Sequence, residues 1–184
     1  MPGCSHVRLV RAGQASARPS VLFVNGFNST YTASRKVSRL STFVTEELHT
    51  TFLTYDHAGH GPAPATPLRD ATLTQWREDL RAVVACERCA GEAPVGYYPI
   101  YRPLVDSIAT HALPPKVACP VALVHGTHDS DVGVDAVGDW ASAQVMQGAP
   151  VSLTWVPGGD HRLSAPAHLD VIELQLLTLF RHVG

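Results

Sequence analysis

The chain has 184 residues, 45% of them apolar and 16% charged, with a formal net charge of -2. That length and apolar content suffice to bury one core, so a single domain over 1–184 is expected, and nothing in the composition argues for disorder. Near-neutral, mixed-sign charge gives no general attraction for nucleic acid or anionic lipid, and no apolar run is long enough for a signal peptide or a membrane span.

His6 to Arg11 (HVRLVR) alternates like a strand. No Asp or Glu precedes Glu46, whereas Arg8, Arg11, Arg18, Arg35, Lys36 and Arg39 do, a composition shared with mitochondrial transit peptides. Because HVRLVR already reads as a strand, a cytoplasmic protein is expected, with a mitochondrial address as the alternative. VLFVNG (21–26) is nearly continuous in apolar residues, the pattern of a strand buried on both faces. From Ala33 to Leu48 the residues Val37, Leu40, Phe43, Val44 and Leu48 recur at helical spacing. TTFLTYD (50–56) reads as the next strand, followed by the Gly/Pro-rich loop HAGHGPAPATP.

A helix starting at Thr72 and running to about residue 90 places Leu73, Trp76, Leu80, Val83 and Val84 on one face, with Thr72 or Thr74 as its cap. Residues 91–115 read as irregular, because VGYYPIY is interrupted by Pro99, which a central strand does not tolerate. Then come the strand PVALVHG (120–126), a helix over Val134 to Val145, the strand VSLTWV (151–156), and a closing helix carrying Leu169, Ile172, Leu176, Leu179 and Phe180. Strands alternating with helices of this length imply βαβ crossovers. The fold class is therefore α/β, a doubly wound, mostly parallel sheet with its functional loops at the carboxyl ends of the strands.

Cys86 and Cys89 form a C-x-x-C pair at the end of a helical pattern, but no second pair completes a zinc site, and Cys4 and Cys119 are isolated. His57 and His60 lie on a glycine-rich turn with no carboxylate or thiol at ligand spacing. Neither a metal nor another cofactor is expected.

The polar residues gather at strand ends. VLFVNGF, YDHAGHG, TLTQWREDL, PVALVHGTHDSDV and GGDHRLS, in that order, resemble the α/β-hydrolase superfamily. More narrowly, TLTQWREDL and GDHR are similar to the small esterase and thioesterase branch of the mitochondrial palmitoyl-protein thioesterase, also described as an acyl-glucuronide esterase. The resemblance covers most of the chain outside 91–115. It implies a small acyl ester or thioester as the substrate and leaves the oligomeric state open.

Each motif also has a physical reading. Gly26 in Asn25-Gly26-Phe27 allows a sharp turn after a strand, which would leave the Phe27 N–H as an oxyanion donor. Asn25 stands where the superfamily usually has His, a change that concerns loop hydrogen bonding. Asp129, in G-x-x-D-x-x-V after PVALVHG, can accept from the Nδ1–H of a histidine, fixing its tautomer and stabilising the imidazolium of acyl transfer, with Asp131 as the alternative acid. His161, after the last strand and a G-G-D turn, is the expected base.

The nucleophile of such enzymes stands in G-x-S-x-G at a strand-to-helix elbow, and this chain contains no such motif. Between Cys89 and Pro120 the only serine is Ser107, in VDSIA without flanking glycines. Cys89 in E-R-C-A-G lacks the first elbow glycine, and neither Ser29 nor Ser164 lies at an elbow. The strand, elbow, helix and cap expected here would need on the order of 60 residues, so the sheet is expected to be incomplete in its central strands. Three readings stay open: a serine hydrolase sequence lacking an internal block through splicing or an incomplete gene model, a pseudoenzyme that keeps an acyl pocket or a protein-binding surface, and a hydrolase with a different nucleophile.

Overall fold

The computed structural model describes residues 9–14, 18–27, 29–32, 34–61, 66–85, 102–108, 110–111 and 115–183. These fall into two compact units, residues 1–112 and 113–184.

In the N-terminal unit, β1 (Leu9–Ala12), β2 (Val21–Val24) and β3 (Phe52–Tyr55) form a sheet of order β1-β3-β2, with β1 antiparallel and β2 parallel to β3. The β2-to-β3 crossover is the helix α1 (Arg35–Thr42), continued by a π-helical turn, Phe43–Glu47. Ser34 caps α1 by accepting from the Val37 N–H at 3.3 Å, satisfying one of the free amides of the first turn. The helical spacing read in the sequence is the buried stripe Val37, Leu40, Val44 and Leu48. The widened final turn closes on the Leu48 N–H to Phe43 carbonyl bond.

β3 is the middle strand and carries the core: Phe52 and Tyr55 are buried, and Tyr55 packs with Val83, Leu22, Leu53 and Leu80. The threonines of TTFLTYD are buried as well, which is tolerable because their hydroxyls are bonded. Thr50 donates to the Pro19 carbonyl at 3.0 Å and Thr51 to the Gln14 carbonyl at 2.9 Å. A short 3-10 turn, Leu68–Asp70, leads into α2 (Leu73–Ala85), which buries Trp76, Asp79 and Val83. Of the interval 91–115, residues 91–101 lie outside the described residues, as do Cys4, Cys86 and Cys89. Arg102–Ile108 form a short helix, α3, where irregular chain was expected.

The C-terminal unit holds the parallel pair β4 (Val121–Gly126) and β5 (Val151–Val156), joined by α4 (Val134–Met146) and followed by α5 (Pro166–Val183). The register runs from Val121 opposite Val151 to Gly126 opposite Val156. Helix α4 packs on both strands and α5 on β4. The buried Gln144 of α4 accepts from the Val117 N–H and donates to the Pro115 carbonyl, tying the segment before β4 to the helix.

The expectation that VLFVNG is buried on both faces needs correction. β2 is half-buried and Val24 is 41% exposed. Among the described residues β2 pairs with β3 and β4 with β5, so each is the outer strand of its sheet, and no strand is found between β3 and β4. The apolar composition of β2 and β4 suits interior strands, although each is an outer strand of its own sheet among the described residues. No helix among the described residues is long and apolar enough to cross a membrane.

Candidate active site

The ends of β4 and β5 are held together by backbone contacts that involve glycine. The Thr127 N–H donates to the Val156 carbonyl at 3.0 Å, and the His128 N–H to the Gly159 carbonyl at 2.9 Å. The Gly158 N–H donates to Thr127 Oγ1 at 2.8 Å. This draws the turn after β4, which bears Asp129, against the turn after β5, which bears His161.

Within GGDHRLS, Asp160 shapes the second turn. Its Oδ1 accepts from the Leu163 N–H at 2.9 Å, and Leu163 sits in the left-handed region at φ 46° with its side chain buried. A bulky residue rarely adopts that backbone, so the capping carboxylate and the buried side chain hold the strain that presents His161 outward.

Asp129 and His161 meet. His161 Nδ1 lies 3.0 Å from Asp129 Oδ2 and 3.1 Å from Oδ1. An ionised carboxylate only accepts, so Nδ1 carries the proton and Nε2 presents its lone pair, the tautomer a general base needs. The Asp129 side chain is 4% exposed, while His161 is half exposed. Asp129 Oδ1 also accepts from the Asp131 and Val132 N–H groups, each at 2.9 Å. Burial pushes the Asp129 carboxyl up, but the Val132 and Asp131 amides and then His161 outweigh it and hold the group at about 2. It therefore stays ionised opposite the histidine at neutral pH. Asp131 is at a different nitrogen: its exposed Oδ2 stands 3.8 Å from His161 Nε2, so Asp129 occupies the orienting position on Nδ1.

Asn25 and Phe27 belong to the N-terminal unit. Asn25 is buried, and its Nδ2 donates to the Tyr55 carbonyl at 2.7 Å and to Thr54 Oγ1 at 3.2 Å, lacing the end of β2 to β3. That side chain is committed to the loop. Gly26 does not adopt a left-handed backbone, and a Cβ there would meet nothing within 4 Å, so the sharp turn read from N-G-F does not depend on it. The Phe27 ring packs on Trp76 and His60, and its N–H has no acceptor among the described residues.

His57 and His60 are buried around the Trp76 ring, and their own rings are 6.4 Å apart. His57 Nε2 donates to the Asn25 carbonyl at 2.9 Å. Burial lowers the pKa of both histidines, so they are neutral packing groups. Gly59 and Gly61 are left-handed, with φ 83° and 85°, and give the loop its shape.

The serines considered as substitute nucleophiles have other surroundings. Ser107 Oγ, in α3, accepts the Leu73 N–H at 2.7 Å at the start of α2. Ser164 Oγ donates to the Arg162 carbonyl, and Ser29 is half-buried in the segment after β2. One residue of the dyad's surroundings escaped the sequence reading. His125 Nε2 lies 3.6 Å from Asp129 Oδ2, and the only hint in the sequence was its place in PVALVHG, immediately before the G-x-x-D-x-x-V that carries Asp129.

No family model matches the chain, and no curated protein matches it in sequence. Solved structures do resemble it. Alpha/beta hydrolase domain-containing protein 10 from mouse superposes with a TM-score of 0.78 at 18% identity, covering 97% of this chain and 95% of that one. A putative hydrolase from Agrobacterium vitis gives 0.70 at 18% identity, with 95% and 93% covered. Est1E from Butyrivibrio proteoclasticus, solved with ferulic acid, gives 0.65 at 14% identity, with 96% and 95% covered. Identities this low speak to architecture alone, and with the parallel strand pairs, the crossover helices and the order of the strand-end loops they establish that the chain has the α/β-hydrolase fold.

Proposed function

We propose that the chain derives from a serine ester or thioester hydrolase, of the acyl-protein thioesterase or carboxylesterase type, and that it is catalytically impaired for want of a nucleophile elbow. The observation that carries the reading is the Asp129–His161 pair, whose Nδ1–carboxylate bond of 3.0 Å is the geometry of a base and its orienting acid. In such chemistry His161 Nε2 takes the proton of an attacking hydroxyl and returns it to the leaving group, while Asp129 stabilises the imidazolium. By family resemblance the oxyanion donor is the Phe27 N–H. The hydroxyl itself has no G-x-S-x-G to stand in.

The test is hydrolysis of p-nitrophenyl acetate by the purified chain, together with labelling by a fluorophosphonate probe. Loss of the nucleophile forfeits about 10^6-fold of triad catalysis, so the rate should match background, be unaffected by His161→Ala, and leave no covalent adduct. A turnover abolished by His161→Ala, together with a labelled residue, refutes the impairment and identifies the replacement nucleophile. A second reading, a non-catalytic protein that binds an acyl ligand or a protein partner, is favoured by an ordered acid–base pair in a chain without an elbow. Saturable binding of a long-chain acyl ligand without its hydrolysis would support it.

A further inference from the structure

His125 is the penultimate residue of β4, and the register sets it directly opposite Trp155 of β5. The two rings meet edge to face with centroids 5.7 Å apart, and the imidazole is 12% exposed. Packed in this way, the ring aims Nε2 out of the strand end at the turn beyond it. Nε2 is 3.0 Å from the Val132 carbonyl. A carbonyl oxygen only accepts, so Nε2 carries the proton and donates.

Val132 is thus held from both sides. Its carbonyl receives the His125 proton, and its own N–H donates to Asp129 Oδ1 at 2.9 Å. Residues 130–132 are exposed, and Val132 is 41% exposed, so little packing fixes them. The imidazole of His125 joins the Asp129 N–H to Gly126 carbonyl bond in tying this turn to the end of β4, and the Asp129 carboxylate accepts from the two amides the turn supplies.

We propose that His125 is a positioning residue for the Asp129–His161 dyad. Donating to the Val132 carbonyl, it fixes the turn whose Asp131 and Val132 amides aim the Asp129 carboxylate at His161 Nδ1. Its Nε2–H also stands 3.6 Å from Asp129 Oδ2, the oxygen nearer His161, and adds a favourable dipole there. The importance of this for catalysis rests on the reading of the dyad as a base pair, but the anchoring itself is measurable without any turnover.

The experiment is amide hydrogen exchange by NMR on the full chain, with the His161 Nδ1–H followed in a histidine-labelled sample and assigned by its loss in His161→Ala. His125→Phe keeps a ring against Trp155 and removes the donor. His125→Gln places an amide N–H near the position of Nε2 and should restore the bond. Expected for His125→Phe is exchange faster by about fivefold or more at Asp131 and Val132, the equivalent of one hydrogen bond, with β4 and β5 amides unchanged and the His161 Nδ1–H signal broadened. His125→Gln should behave as the wild type. Unchanged exchange at Asp131 and Val132 in a folded His125→Phe overturns the proposal. So does equal acceleration along β4 and β5, which would make His125 a packing residue. If His125→Phe does not fold, His125→Asn, whose shorter amide cannot reach Val132, against His125→Gln makes the same comparison. Absence of ester hydrolysis bears on the proposed function and leaves these outcomes intact.

Discussion

Gly126, the last residue of β4, lies tight against the turn after β5. A Cβ at this position would lie 2.2 Å from the Gly159 carbonyl oxygen, 2.4 Å from the Gly159 carbonyl carbon and 2.8 Å from the Asp160 carbonyl oxygen. All three are backbone atoms, which cannot swing aside as a side chain would. In Gly126→Ala the turn after β5 must retreat by about 1 Å to recover an ordinary contact of about 3.5 Å. That movement breaks the His128 N–H to Gly159 bond and stretches the Thr127 N–H to Val156 and Gly158 N–H to Thr127 Oγ1 bonds.

The one broken and two weakened bonds together cost about 2 kcal/mol, and with about 1–3 kcal/mol for overpacking the destabilisation is about 3–5 kcal/mol. For a chain of this size that lowers the melting temperature by about 10 °C. Gly138→Ala, inside α4, is the matched control. Its nearest neighbour would be Trp155 Cζ2 at 3.7 Å, an ordinary contact, and alanine is favoured over glycine in a helix by about 1 kcal/mol, so this variant should be more stable. Urea and thermal denaturation followed by circular dichroism read both. A Gly126→Ala protein within about 0.5 kcal/mol of wild type, or a Gly138→Ala protein equally damaged, would refute the close-approach reasoning.

Acid should act on Asp129 and on His57 in separable ranges. Asp129, held at about 2 against an ordinary 3.8, contributes stability that is complete above about pH 4 and lost as pH falls through 2, so Asp129→Asn should be less stable at pH 7 and show a shallower loss between pH 4 and 2. A melting temperature with the same slope over that range in both proteins would count against it. His57, whose pKa burial lowers despite the Asn25 carbonyl and the nearby Asp79, with His60 adding to the depression, favours the neutral form in the folded state. Its contribution is present above the ordinary 6.5 and is lost as pH falls below it, so acidification from pH 7 should lower the melting temperature less in His57→Gln than in wild type. A wild-type curve flat from pH 7 to 5 would contradict this.

Periodicity located the elements because burial of a single face imposes it. The spacing of Val37, Leu40, Val44 and Leu48 is the stripe α1 and its π-helical turn bury, and VSLTWV is β5 residue for residue. Periodicity erred where burial depends on neighbours that a strand's own residues do not specify. VLFV is apolar enough for a strand covered on both faces, yet β2 has a hydrogen-bonded neighbour on one side among the described residues, and Val24 is exposed. Composition likewise reads Gly26 as a turn residue, although its backbone needs no glycine, and passes over Gly126, whose need for one comes from a chain segment more than thirty residues away.

The sequence by itself determined the α/β class, the strand ends at which Asp129 and His161 stand, and the absence of a G-x-S-x-G motif, since all three are properties of order and residue type along the chain. Only the tertiary structure decided that Asp129 rather than Asp131 faces Nδ1, that Asn25 is spent on lacing β2 to β3, and that His125 grips the turn beneath the carboxylate. Each of these depends on which hydrogen-bond partners a fold brings within about 3 Å, and neighbouring residues of the same type are separated by nothing except that distance.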